Sequence, residues 1–272
     1  MGQEGGSLKG CGKRGGETLK NKEILKRREQ IMNIVRTTGR LDTEDAARLF
    51  RVSAETIRQD FLYLSQQGIL KKVYGGAVIC ESDRIESLPV RESVNLSAKD
   101  RIAKKAMEYL PEGDCIIGMD SGSTVALLGA YASYRRDLLV VTNSHRILQI
   151  MTAGRNRLIS LGGEFSQEEL AYYSGEFPQM LRQITLDVFF LGTSGVKGRN
   201  GVCTKNFQQS LLKNQLICQS NRNIVLADSS KFQASSLIEV APWSKLDLLI
   251  TDEDIPEESR EQLEQVIKVV VV

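Results

Sequence analysis

The sequence predicts a mainly α/β protein, with a small helical unit and a hairpin ahead of an α/β domain on a mostly parallel sheet. Three observations predict it. Short runs that are apolar at every position recur after residue 98, and such runs suit strands covered on both faces. Helical patterns fall between several of them. The basic charge is confined to the first part of the chain: residues 1–80 carry 15 Lys and Arg against 9 Asp and Glu, a net of +6, whereas residues 81–272 carry 21 against 25, a net of −4. A basic excess limited to one segment is expected where that segment alone meets a phosphate backbone.

The bulk composition narrows the classes. A length of 272 residues suffices for a small domain and a medium one. Hydrophobic content of 41% and charged content of 26% are those of an ordinary globular protein. No apolar run, the closing "VIKVVVV" included, reaches the roughly 20 residues that a membrane helix needs. Cys11, Cys80, Cys115, Cys203 and Cys218 show no zinc or redox spacing, and His145 is the single histidine. A His-rich metal site and a histidine-driven hydrolase are therefore disfavoured, and no cofactor or metal is expected. Residues 1–20 are glycine-rich without an apolar block. They read as a disordered leader rather than a secretory signal, which points to a cytoplasmic protein with reduced thiols.

The first unit spans 21–78. Glu23 to Thr38 reads as a helix with Ile31, Ile34 and Val35 on one face, stopped by Gly39. Asp42 stands as N-cap of a second helix, "TEDAARLF", with Asp45 three residues on, close to a capping box. Ser53 caps a third helix that buries Ile57, Phe61 and Leu64 and ends at Gly68. Its opposite side carries Thr56, Arg58, Gln59 and Tyr63. "ILKKVYGGAVI" reads as two β segments around Gly75-Gly76, a hairpin. Three helices and a hairpin make a winged helix-turn-helix, whose third helix offers its N-terminal residues to base edges in the major groove. Arg58 suits guanine and Gln59 adenine. Ser53, Thr56, Lys71 and Lys72 suit phosphates, which position without specifying. A small helical bundle with a solvated polar face is the plainer alternative.

Residues 79–97 are polar, contain Pro89 and lack a sustained period, so they read as a linker. From 98 to 272 the pattern alternates. "AKDRIAKKAMEYL" is a helix, and "CIIGMD", "LLVVTN", "RLISLGG", "DVFFLGT", "NIVLAD" and "DLLITD" are strands. Ligands of such sheets bind beyond the carboxyl ends of the strands. "MDSGSTVALLGAYA" is the sharpest case: a strand, then Asp120, Ser121, Gly122, Ser123 and Thr124, then a helix. Gly122 can take an unusual backbone angle, and the amides that open the helix point at an anion. This reads as a phosphate cradle that is not of the Walker type, an ordinary capped turn being the alternative. Asn143 and Ser144 suit a polyol, and His145 reads as a helix-start residue. Gly162 and Gly163 close another strand. Asp228 is an acceptor for sugar hydroxyls, and Lys231 a cation for a phosphate or for Asp228.

With these residues in view, "LDTEDAARLFRVSAETIRQDFLYLSQQGILKKVYGGAV" resembles the DNA-binding signature of the DeoR family of bacterial transcription regulators, through "VS.ETIR.D", "L...G.L" and "V.GGA". Gln59 stands where the family usually has a second arginine, and Tyr74 where it often has a histidine. The pieces "DSGST", "VVTNS", "LGGEF", "FLGTSGV", "LADSSKF" and "LLITD" resemble the family's effector domain, which is similar to ribose-5-phosphate isomerase and binds phosphorylated sugars. The resemblance spans residues 21–272 and adds Tyr74 to the DNA contacts and Ser194 to the effector contacts. Ser194 stands where many members have an aspartate. It implies a repressor of carbohydrate genes, a homo-oligomer (dimer or tetramer) on double-stranded operator DNA, with a sugar phosphate modulating binding.

Two other classes compete. An aldose–ketose phosphate isomerase needs a positioned carboxylate base. The isomerases resembled here carry acidic residues in the stretch matching "FLGTSGV", where this chain has Thr193, Ser194 and Gly195. A module used only for oligomerisation explains the packing but not the polar strand ends. The expectation is a regulator, without catalytic residues.

Overall fold

The computed structural model describes residues 23–272, apart from 25, 29, 33, 36–37, 67–69, 80–86 and 175–182. The leader, the stop at Gly68, and Cys11 and Cys80 lie outside the described residues. The chain divides into two units, Met1–Arg84 and Ile85–Val272.

In the first unit, helical backbone between residues 23 and 38 (α1) places Ile31, Met32 and Val35 in a core. Then come β1 (Arg40–Asp42), α2 (Thr43–Phe50), α3 (Ala54–Gln66), β2 (Leu70–Val73) and β3 (Gly76–Ile79). The strands form an antiparallel sheet in the order β1-β3-β2. The hairpin lies where the sequence puts it, but β1 is an addition, since three residues carry too little pattern to read. The paired glycines serve different needs. Gly75 takes a φ of 79° in the turn, whereas a Cβ on Gly76 would stand 2.4 Å from the Leu41 carbonyl oxygen, so β1 can pass only beside a glycine.

Asp42 occupies the N-cap position of α2, but its carboxylate does not cap. Arg40 holds Oδ1 from Nε at 3.0 Å and Nη2 at 2.7 Å, and the Thr43 amide donates instead to the Gly75 carbonyl at 2.8 Å. Ser53 does cap α3, its Oγ accepting from the Thr56 amide at 3.1 Å. Ile57, Phe61 and Leu64 are buried on α3 as expected, and so is Asp60. Asp60 accepts from Arg27 Nε at 2.6 Å and Arg28 Nε at 2.8 Å, which clamps α3 to α1.

The second unit starts with a correction. Within the stretch read as a linker stands α4 (Leu88–Ser93), and α5 (Leu96–Met107) begins before residue 98. The polar composition hid both, because α4 buries only Leu88. Next come β4 (Cys115–Met119), α6 (Ser123–Ala132), β5 (Leu138–Thr142), α7 (His145–Met151), β6 (Arg157–Ser160), β7 (Glu164–Ser166), β8 (Ala171–Tyr173) and β9 (Val188–Leu191). The chain closes with β10 (Gly201–Thr204), α8 (Phe207–Cys218), β11 (Asn223–Leu226), β12 (Ile238–Pro242), β13 (Leu248–Thr251), α9 (Glu257–Glu264) and β14 (Lys268–Val271).

Seven strands form one parallel sheet in the order β14-β13-β11-β9-β4-β5-β6. Side chains alternate between two cores: Val188 and Phe190, Ile224 and Leu226, and Leu248 and Ile250 enter one, while Phe189, Leu191, Val225 and Leu249 enter the other. This two-sided burial is why these runs read as apolar at every position. The chain builds outward from β4 through β5 to β6, then returns to β9 on the other side of β4 and builds outward again. The switch point between β4 and β9 opens a crevice at their carboxyl ends. The closing "VIKVVVV" supplies the edge strand β14. β7 pairs with β8, and β10 with β12, both antiparallel.

Asp60→Ala should lower the stability of the first unit by about 2–3 kcal/mol, because two charge-assisted bonds are lost while both guanidinium groups keep some solvent. The single tryptophan, Trp243, lies in the second unit. In a urea titration, the far-UV dichroism should therefore show an early loss of helix, while the Trp243 fluorescence transition stays in place.

Candidate functional site

On the first unit, the exposed side of α3 and the hairpin gather the expected DNA contacts. Ser53 Oγ and Thr56 Oγ1 share a hydrogen bond of 2.8 Å at the start of α3. Arg58 Nη1 and Gln59 Nε2 both donate to Glu55, at 3.3 and 3.2 Å. The Gln59 bond, with Arg58 next, holds the Glu55 carboxyl below its ordinary range. Glu55 thus presents both side chains on the exposed face. Lys72 acts on Glu55 by charge, so the hairpin lies close to the start of α3. Lys71 and Lys72 are exposed, and Tyr74 is fully exposed at the hairpin tip. Tyr63, the remaining expected contact on α3, is 38% exposed and has a second partner. The Arg28 guanidinium lies 3.7 Å from its ring centroid, which makes Tyr63 a partner of the α1–α3 clamp.

In the second unit, the switch point brings Asp120–Thr124 against the end of β9. Asp120 is buried and accepts from the Gly122 amide at 2.7 Å and the Gly192 amide at 2.9 Å. Lys213 on α8, also buried, stands 2.7 Å from Asp120 Oδ2 and donates to the Gly192 carbonyl at 2.8 Å. Asp120 is therefore the fastening between two strand ends, with its carboxylate occupied by the chain itself. Gly122 has an ordinary φ of −73°, so the expected unusual angle is corrected. The glycine is needed for space, since a Cβ there would lie 2.9 Å from Asp120 Oδ1.

Ser121, Ser123 and Thr124 are all buried, and α6 opens without a side-chain cap. Ser121 Oγ accepts from Gln209 Nε2 at 3.2 Å, and the Gln209 carbonyl oxygen accepts from the Thr204 hydroxyl. Tyr173 stands beside Ser121, and burial above all pushes its phenol well up, so it stays protonated. Gln209 and Lys213 are absent from the residues expected from sequence. Their i, i+4 spacing on the buried side of α8 was the available signal. Cys203 also borders the site, but burial pushes its thiol up to about 12, so no thiolate nucleophile stands there at neutral pH.

The other expected residues fall into two groups. Asn143, after β5, donates from Nδ2 to the Tyr172 carbonyl at 3.1 Å, and Ser144 caps α7. His145 is the first residue of α7, with Nδ1 3.0 Å from the Tyr172 hydroxyl and Phe165 against its ring. Gly162 and Gly163 both have positive φ, and a Cβ on Gly163 would strike the Tyr173 carbonyl oxygen at 2.3 Å. These residues fasten β7 and β8 to the sheet. The second group lies after β9 and β11. The Ser194 amide donates to the Cys203 carbonyl at 2.9 Å. Asp228 is buried, with Oδ1 accepting from Asn95 Nδ2 at 2.9 Å and from the Ser230 amide at 3.2 Å. Burial is the largest influence on its carboxyl and pushes it up. Ser230, Lys231, Asn95 and Lys99 together outweigh it and bring the group below its ordinary range. Lys231 acts on Asp228 by charge, but the buried cation beside the carboxylate is Lys99, 4.0 Å from Oδ2.

Among the described residues, no group of three or more His, Cys, Asp or Glu side chains could hold a metal ion, and no helix is long and apolar enough to cross a membrane.

Comparison with known proteins gives consistent results for both units. Residues 27–83 match the DeoR-like helix-turn-helix domain family, and residues 94–253 match the DeoR C terminal sensor domain family. The chain is 32% identical over 251 residues to the "Putative aga operon transcriptional repressor" of Escherichia coli O157:H7, covering 90% of this chain and 93% of that protein. It is 30% identical over 241 residues to the "L-fucose operon activator" of Haemophilus influenzae, covering 88% of this chain and 96% of that protein. Among solved structures, ribose 5 phosphate isomerase A from Neisseria gonorrhoeae is similar at 18% identity, covering 49% of this chain and 52% of that one, with a TM-score of 0.37.

Lys213→Met should destabilise the second unit by about 3–5 kcal/mol, because it leaves Asp120 buried without its cation. Adding Asp120→Asn should recover part of that loss. A urea titration followed by Trp243 fluorescence measures both, and a double variant no more stable than Lys213→Met would show that the pair does not act as a unit.

Proposed function

The chain belongs to the DeoR family of transcription regulators, and from that premise we propose that it is a repressor of carbohydrate genes whose operator binding is modulated by a phosphorylated sugar. It is a regulator rather than an enzyme, as its relatives are named. The observation that carries the proposed ligand is the switch-point loop: three hydroxyls and an uncapped helix start meet beside a fixed Asp120–Lys213 pair. Amides at a helix start attract a dianion without needing a lysine of their own.

The chemistry of the same site supports binding without turnover. Isomerisation would need a carboxylate free to take a proton from the sugar carbon. The groups that α8 sends to the loop are the Gln209 amide, which is not a base, and Lys213, which is engaged by Asp120 and the Gly192 carbonyl. The Thr193–Gly195 stretch has no carboxylate, and Asp120 is taken up by Lys213 and two amides.

Arg58 and Gln59 are the proposed base readers, and Ser53, Thr56, Lys71, Lys72 and Tyr74 the backbone contacts. A homo-oligomer, dimer or tetramer, would hold paired units at the spacing of an operator, in the cytoplasm. Ligand binding relieves repression in this proposal. Relatives named as a repressor and as an activator exist side by side, so the sign is read from a reporter fused to the operator.

Arg58→Ala should weaken specific binding by about 1–3 kcal/mol and relax preference at one base pair. The ratio of operator to random-duplex affinity checks this, and an unchanged ratio removes Arg58 from base reading. Replacing Lys71 and Lys72 together with Ala should weaken all duplexes alike. It should also flatten the salt dependence by roughly one unit of slope for each phosphate no longer neutralised.

For the ligand, calorimetry with a panel of pentose and hexose phosphates should find binding that Ser123→Ala weakens by about tenfold or more, as expected for a lost bond to a charged oxygen. DNA binding of that variant should stay at the parent level. A parent protein that binds no member of the panel would rule out the sugar-phosphate reading.

A further inference from the structure

The first helical segment of the second unit is fastened across the carboxyl-end site by polar contacts. Arg91 pairs with Glu169 at 2.7 Å, and Glu92 with Arg146 at 2.9 Å. Asn95 donates to Asp228 Oδ1 at 2.9 Å. Lys99, buried, donates to the Arg91 and Val94 carbonyls and stands 4.0 Å from Asp228 Oδ2. α4 also packs against α6, the helix that opens at the hydroxyl loop.

Three further observations indicate that this fastening is exchangeable. Ser121, Ser123 and Thr124 are only 1, 7 and 5% exposed, so a ligand reaches them only when part of their surroundings opens. Asp228 Oδ2 is buried and makes no hydrogen bond among the described residues. The segment itself is held by little apolar surface: Leu88 is buried, while Val90, Val94 and Leu96 are about half exposed, at 47, 43 and 51%. Segments held by polar contacts rather than by burial are those that open at low cost.

We propose that residues 87–99 form a strap that closes the site and reports its occupancy to the DNA-binding unit, with Asn95 on Asp228 as the latch. This rests on reading Asp228 as an acceptor for ligand hydroxyls. A ligand that donates hydroxyls to both oxygens of Asp228 fills the open Oδ2 and takes the place of the Asn95 amide on Oδ1, which frees the strap. The strap follows the DNA-binding unit in the sequence, and in this proposal its closed and open forms differ in their effect on that unit. The closed strap is the operator-binding form. Ligand and operator then oppose each other only through their different preferences for the two forms.

Asn95→Gly tests the latch. Asn95 has a φ of 52°, which glycine adopts freely, so the amide is removed without forcing the backbone. The probe is a duplex selected from a random pool by the full-length parent. With no sugar present, Asn95→Gly should bind this duplex about tenfold more weakly, within the usual range of coupling between sites. Unchanged or tighter binding overturns the proposal. Should Asn95→Gly fail to fold, Glu92→Gln loosens the same strap from its exposed side, and a loss of about threefold is expected. Fructose 6-phosphate and ribose 5-phosphate on the parent separate the two readings. If neither sugar changes duplex binding while Asn95→Gly does, the strap stands and the sugar-phosphate reading falls. If a sugar weakens duplex binding in the parent and Asn95→Gly binds as the parent does, the strap falls and the effector reading stands.

Discussion

The buried pair of Asp120 and Lys213 is the constraint on which the rest of the second unit depends. One carboxylate ties the end of β4 to the end of β9 through the Gly122 and Gly192 amides, and one ammonium from α8 neutralises it. Such a pair is a weak source of net stability, since desolvation offsets its attraction, but losing one partner is costly. Its effect is geometric. It fixes the hydroxyl loop, the opening of α6 and the turn after β9 in one arrangement at the switch point of the sheet.

The same device recurs elsewhere in the chain. Asp60 is buried against Arg27 and Arg28 and clamps α3 to α1. Asp228 is buried near Lys99 and bonded by Asn95. The three differ in how completely they are satisfied. Asp60 and Asp120 have both oxygens engaged, which makes rigid joints. Asp228 keeps one oxygen without a hydrogen bond, and a partly satisfied buried carboxylate is where a competing donor gains most. Rigid joints therefore hold α3 and the hydroxyl loop, and the exchangeable joint lies on the proposed strap that precedes the sheet.

This division suits a regulator better than a catalyst. A catalyst needs a base left available at the reacting carbon, whereas the loop's own carboxylate, Asp120, is engaged by two amides and Lys213, and the other side chain that α8 offers is an amide. What such a site can do is differ in affinity between two arrangements of the chain. A ligand moves an equilibrium by that difference and no more.

Much of this was legible in the sequence. The Ser53 cap, the burial of Ile57, Phe61 and Leu64, the hairpin at Gly75-Gly76 and six of the seven parallel strands follow from spacing and short-range preference. These are local properties, and the motif resemblance needs only local matches. The rest was decided by contacts between residues far apart in the chain. Asp42 caps nothing because the Thr43 amide donates to the Gly75 carbonyl of the hairpin, while neighbouring Arg40 takes the carboxylate. Gly122 is required by the Asp120 carboxylate, which Lys213 and the Gly192 amide hold beside it, and not by its own φ. Gln209 and Lys213 enter the site because α8 packs beneath the switch point, and Asn95 and Lys99 turn a polar, proline-containing stretch into a strap. The sequence by itself determined which segments are helices and strands and where their polar ends fall. Only the tertiary structure decided which of those polar ends are occupied by the chain's own lysines, amides and arginines, because burial and pairing depend on what is brought alongside.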